Sequence, residues 1–136
     1  MGMVLTEEQV LLKDSARAFV SEKAPVKALR SLRDADDGAG FDKELWARMV
    51  EMGWAGMIFP EEHGGLDFGY QGLGLVLEEC GRTLVASPLV STVLTCGTLI
   101  MLGGSDAQKA DLLPKIAARL LEGGCELRGD AAARAL

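Results

Sequence analysis

Between Leu84 and Leu102 the chain carries no charged residue, and any fold it adopts must find a place for that segment. At about 20 residues it is long enough to cross a bilayer. It contains Ser87, Pro88, Ser91, Thr92, Thr95, Gly97 and Thr98, however, and a helix so rich in hydroxyls is a poor lipid-facing span. The other solution is an apolar helix at the centre of a bundle, with amphipathic helices packed around it. Ser87 and Pro88 read as its start, a cap followed by proline at the first helical position, and Gly103-Gly104 as its end.

The rest of the chain supplies the partners. Thr6 with Gln9 forms a capping box, Leu5 and Val10 a hydrophobic staple, and the first helix runs to Ala24 with Leu12, Ala16, Phe19 and Val20 inward. Pro25 stops it, and Val26 to Leu32 adds a further short turn. Arg33 to Gly40, rich in Asp and Gly, is a solvated loop. Asp42 caps a second helix whose stripe is Leu45, Trp46, Met49 and Val50, with Phe41 stapling onto Trp46 and Gly53 as the stop. Trp54 to Phe59 is apolar but brief. With Pro60, Gly64 and Gly65, it leads into an ordered crossing loop over Ile58–Gly69 rather than a strand.

A third helix over about Phe68–Leu84 turns Leu73, Val76, Leu77 and Cys80 inward. The apolar helix follows as the fourth. Ser105 and Gln108 cap the fifth, which carries Leu112, Leu113, Ile116 and Ala117 and should be kinked by Pro114. The expectation is an all-α domain over residues 1–118, a compact bundle of about five main helices around a central apolar one. Residues 119–136, an Ala- and Arg-rich tail with no clear core face, stand apart.

Composition narrows the function. Only 5% of the 136 residues are aromatic, which suits helices better than a β-sandwich, and a net charge of −6 with no basic face argues against nucleic acid. Cys80, Cys96 and Cys125 make an odd number without a CxxC pair, so neither a disulfide framework nor a zinc site is expected, and a reducing cytoplasm is. Glu7 and Glu8 stand where a secretory signal would be basic.

Candidate chemistry is sparse. His63 is the lone histidine, and with Glu61 and Glu62 beside it in one loop the three cannot converge on an ion. The glycines at 64, 65, 69, 72 and 74 do not have the spacing of a dinucleotide loop and follow no strand. Arg128-Gly129-Asp130 matches an adhesion tripeptide by spelling only. The informative pattern lies on the apolar helix, where Ser87, Ser91, Thr95 and Thr98 recur at intervals that place their hydroxyls on one face. They either bond back to carbonyls a turn earlier and simply pack, or line a narrow slot for an extended ligand.

Several segments, read in order, resemble the N-terminal domain of the acyl-CoA dehydrogenase family. They are Leu5-Thr6-Glu7-Glu8-Gln9, the stretch Phe41 to Met57, the turn Phe59-Pro60-Glu61-Glu62-His63-Gly64-Gly65, and Leu77-Glu78-Glu79-Cys80-Gly81-Arg82. Gly104-Ser105-Asp106-Ala107-Gln108-Lys109 and Leu113-Pro114-Lys115-Ile116-Ala117 complete the set, which spans residues 5 to about 118. The resemblance implies a helical domain followed in the family by a β-domain and a C-terminal four-helix bundle that hold FAD. It implies an oxidation of acyl-CoA thioesters in which a carboxylate removes the α-proton while hydride passes to the flavin. It assigns the N-terminal domain one wall of the acyl pocket, here Ser87, Pro88, Ser91, Thr92 and Thr95.

Arg119–Leu136 departs from the family pattern, as a truncated, frame-shifted or degenerate gene would make it, and neither the catalytic carboxylate nor the flavin-binding segments occur in this sequence. On that basis the chain is expected to bind no FAD and to be inactive alone. Fragments of related flavoprotein oxidases or monooxygenases, and a small helical interaction module that self-associates through an exposed apolar face, are the rival readings.

Overall fold

The computed structural model describes residues 4–35 and 40–118, in which all regular structure is helical and no strand occurs. The order is α1 (Glu7–Lys23), α2 (Val26–Asp34), α3 (Lys43–Glu51), two short 3₁₀ turns at Trp54–Gly56 and Glu61–His63, and α4 (Gly69–Arg82). A π-helical segment (Leu89–Gly97), α5 (Thr98–Gly103) and α6 (Asp106–Ala117) follow. The expected bundle is present, and the tail at 119–136 and positions 36–39 of the expected loop lie outside the described residues.

The helix starts follow local chemistry. Thr6 Oγ1 accepts from the Gln9 amide at 3.2 Å while Gln9 Oε1 accepts from the Thr6 amide at 3.0 Å. Ser105 and Gln108 repeat the arrangement at the start of α6, and Asp42 accepts from the amides of Glu44 and Leu45 at 2.8 and 3.0 Å. Ala16 and Val20 are buried, with Leu12 and Phe19 packed on the core as their spacing predicts, and Val10 lies at the surface, 43% exposed. Residues 26–34 form a nine-residue helix, longer than the short turn expected, because Pro25 restricts the residue before it but is well placed to precede a helix. Pro114 is carried inside α6, which continues to Ala117.

The centre of the core is the segment that sequence reading treated as brief. Trp54, Ala55, Met57, Ile58 and Phe59 are all buried, and Trp54 meets Phe19 of α1 edge-on, with ring centroids 5.4 Å apart. The crossing loop is tied back onto this segment. The amides of Leu66, Asp67 and Phe68 donate to the carbonyls of Gly56, Phe59 and Met57, each at 2.9 Å. A Cβ at Gly65 would lie 2.0 Å from the Phe59 carbonyl oxygen, so that position can only be glycine.

The largest helix pair, α1 against α4, is closed by charges as well as by packing. Glu79 is fully buried at the side chain and takes both oxygens to Arg17, at 3.1 and 3.2 Å, and a further ion pair from Arg82 at 3.2 Å. Glu78 beside it pairs with Lys13 at 2.8 Å and with Arg82 at 3.1 Å. Half-exposed arginines thus cover a carboxylate lying just beneath the surface. The hydrogen bond from Arg17 leads in holding the Glu79 carboxyl below its ordinary range, and together with the charges of Arg17, Arg82 and Lys13 it overcomes the upward push of burial.

Because the folded-state pKa is depressed, the stabilisation is present above the unfolded value of about 4.3 and is lost as pH falls through the folded value. Urea titrations should show Glu79→Gln less stable than the parent by about 1–3 kcal/mol at pH 7. The gap should narrow below about pH 4; a gap unchanged at acid pH would mean the charge is not what joins the two helices.

Candidate functional site

The π segment begins at Leu89, and its start differs from the expected one. Pro88, at φ −72° and ψ 1°, is the capping residue, and no side chain bonds the helix start, so Ser87 is not the cap. The physical reason is the turn at Pro88, which aims its own carbonyl along the helix to accept the Thr92 amide at 2.8 Å. The wider π turn then changes which residues share a face. Ser91 and Thr95 point outward, and each donates to a backbone carbonyl, Ser91 to Pro88 at 3.4 Å and Thr95 to Val90 at 3.0 Å. The Thr98 hydroxyl shares a hydrogen bond of 3.0 Å with the Tyr70 hydroxyl. Thr92 turns inward and is 7% exposed, and its Oγ1 has no hydrogen-bond partner.

The apolar helix is therefore packed on one side only. Leu89, Thr92, Val93 and Gly97 face the core, where Gly97 sits so close to Phe59 that a Cβ would come within 2.5 Å of its ring. On the opposite side Val90, Leu99 and Leu102 are exposed at 53%, 65% and 82%, with Ser91 and Thr95 between them. This outward face has hydroxyls and hydrocarbon and no charge.

At the N-terminal end of that face two half-open hollows adjoin, of about 380 and 470 Å³. The first lies against α2 and includes Ala28 and Leu32; the second reaches Ser87 and Val90; both share Leu29, Leu84, Val85 and Ala86. Of the expected wall residues, Ser87 borders a hollow, Ser91 and Thr95 lie on the open face, Pro88 is buried at the turn and Thr92 is buried beneath it.

Leu84 forms the ridge between the hollows in an unusual conformation. The Val85 amide donates to the Cys80 carbonyl at 3.0 Å across the end of α4, a closure that puts Leu84 in the left-handed region at φ 55°. Glycine normally occupies this position, and a leucine held there costs on the order of 1–2 kcal/mol. Nothing in the sequence pattern flagged it, because the signal would have been a missing glycine.

The other candidates are inert. Cys80 is buried, which pushes its thiol up to about 11, so it is protonated and unreactive at neutral pH. His63 lies 3.6 Å from Glu62, and no group of residues suited to a metal ion occurs among the described residues. No helix among the described residues is long and apolar enough to cross a membrane.

Comparison with known proteins adds a family pattern to this geometry. A family model for the acyl-CoA dehydrogenase N-terminal domain matches residues 6–119. Acyl-CoA dehydrogenase IpdE2 of Mycobacterium tuberculosis is 32% identical over 134 residues, covering 96% of this chain and 42% of that protein. Among solved structures, a glutaryl-coenzyme A dehydrogenase complex superposes with TM-score 0.67 at 31% identity, covering 88% of this chain and 31% of the other. Butyryl-CoA dehydrogenase from Megasphaera elsdenii gives TM-score 0.67 at 27% identity, with 87% and 31% covered. The chain thus spans less than half the length of these relatives.

The orphaned Thr92 hydroxyl gives a direct check on the inward side of the helix. Thr92→Val keeps the shape and removes a buried, unpartnered polar atom, and should raise stability by about 1 kcal/mol in chemical denaturation. A loss of similar size would show that the hydroxyl is bonded in solution.

Proposed function

The chain belongs to the acyl-CoA dehydrogenase family, as its N-terminal domain, and from that premise we propose that it supplies one wall of the acyl pocket of an FAD-dependent enzyme acting on acyl-CoA thioesters. The observation that carries this reading is the uncharged outward face of the π segment and α5 on a domain otherwise covered with charge. Ser87, Ser91 and Thr95 border that face, with Pro88 fixing the turn and Thr92 supporting it from behind. A surface of this kind suits a hydrocarbon chain, because apolar walls with a few hydroxyls exclude water without placing an unpaired charge beside the ligand.

In this reading the flavin is held by the family's other domains, and the Gly64-Gly65 turn serves packing, with Gly65 closed against the Phe59 carbonyl. FAD would supply the electron chemistry of the whole enzyme, and this domain's share is to orient the acyl group and keep it dry. In the same reading the domain catalyses nothing alone, and a cytoplasmic setting accords with the buried free thiol of Cys80.

A second reading draws on the same face. Leu99 and Leu102, both strongly exposed, would also support self-association, as expected of an interaction module.

Calorimetry separates the two. Palmitoyl-CoA should bind the isolated chain without FAD, CoA alone should not, and Ser91→Lys should weaken the thioester at least about tenfold by setting a charge beside the hydrocarbon. Heat from neither ligand, with a concentration-dependent dimer in sedimentation, would favour the interaction module and overturn the wall.

A further inference from the structure

We infer that α2 is a movable strap: it lifts from the domain as a unit, opening and closing the hollow beneath it, while the other helices stay in place. The motion belongs to the chain itself and does not depend on what the uncharged face binds. What α2 is and how it is held do not match. Its sequence is amphipathic, with Ala28, Leu29 and Leu32 on one side and Lys27, Arg30 and Arg33 on the other. Yet none of its residues is buried, whereas α3, of the same length, buries Leu45, Trp46 and Met49, and α1, α4 and α6 each bury two or more.

The apolar side of α2 does not meet a packed wall. Ala28, Leu29 and Leu32 border a half-open hollow of about 380 Å³, whose further walls include Ala24, Leu45 and Val85. Lys23, Ser31, Asp42 and Thr83 border it too, so α2 rests on a mixed surface rather than a dry apolar one. A leucine half removed from water over a void contributes only a fraction of what a fully buried one does.

Nothing else ties the helix down. Among the described residues no side chain of α2 bonds to another element: Ser31 Oγ donates to the Lys27 carbonyl at 3.2 Å, and Arg33 pairs with the adjacent Asp34 at 2.8 Å. By contrast α1 is held to α4 by the Arg17–Glu79 and Lys13–Glu78 pairs. Ala24, at φ −133°, and Pro25, at ψ 156°, interrupt the helical run, so α2 can leave without unwinding α1. A nine-residue helix is too short to persist alone in water, so lifting and melting are a single step. Both hollows share Leu29, and lifting α2 therefore opens them together, at the N-terminal end of the uncharged face.

Hydrogen exchange on the 136-residue chain tests the strap. The amides from Arg30 to Asp34 should exchange at least about a hundredfold faster, relative to their intrinsic rates, than those from Val76 to Cys80 in α4. Leu32→Ala should speed exchange in α2 at least about threefold and leave α4 unchanged. Ala28→Leu, which adds volume over the hollow, should slow α2 by a similar factor. Equal protection in α2 and α4, or a Leu32→Ala effect that is absent from α2 or shared with α4, would place α2 in the cooperative core and overturn the inference. Exchange unchanged or quickened by Ala28→Leu would show that the hollow is not what leaves α2 loose, and would overturn it as well.

Discussion

Everything in this domain is arranged around the close approach of Phe59 to two glycines. Its carbonyl stands where a Cβ of Gly65 would be, and its ring where a Cβ of Gly97 would be. The first approach folds the crossing loop back onto Trp54–Phe59 and brings α4 to the right place in the chain. The second sets the π segment directly against the core. Trp54 extends the same block to α1 through Phe19, and the turn it belongs to also packs on α3 and α6. A six-residue stretch with almost no regular structure thus carries contacts that in most helical domains are made between helix faces, and it can do so because small residues let backbone and ring approach within contact distance.

Packing against Phe59 also settles how the uncharged helix is used. A helix apolar on all sides would be expected to disappear into a core. Here Leu89, Val93 and Gly97 satisfy the core, and Val90, Leu99 and Leu102 remain outside. The domain is small, and the uncharged helix packs on α6 and on the Trp54–Gly56 turn rather than being enclosed by helices on every side. Charged residues meanwhile form the Lys13, Arg17, Glu78, Glu79 and Arg82 network that joins α1 to α4.

What sequence reading could reach follows from the range of each interaction. The capping boxes at Thr6 and Ser105, the Asp42 cap and the inward stripes of α1, α3 and α4 depend on residues three or four apart, so spacing alone placed them. The motif order pointed to the family, and the ion pairs of Glu78, Glu79 and Arg82 now give the fourth of its segments, Leu77 to Arg82, a physical role, holding α4 to α1. Ser87 was misplaced as a cap because the start of the helix depends on the backbone angle at Pro88, and a serine before a proline looks the same whichever carbonyl leads. The π geometry was equally out of reach, because no local signal distinguishes it from α geometry in a run of Leu, Val, Ser and Thr. The resemblance grouped Thr92 with Ser91 and Thr95, and the helix turns Thr92 inward while those two face out.

Leu84 shows the limit most clearly. Leucine is common in helices and unremarkable before Val85 in a sequence, and its significance appears only once the hydrogen bond from Val85 to Cys80 defines the turn that it closes. Local preference and tertiary geometry then disagree at one residue, in a domain where they agree almost everywhere else. Such a disagreement has to be offset by something. Burial does not offset it, because the side chain is more than half exposed, and neither does a partner within the domain's core cluster. What remains is the place where the residue stands, between two apolar hollows at the head of the uncharged face.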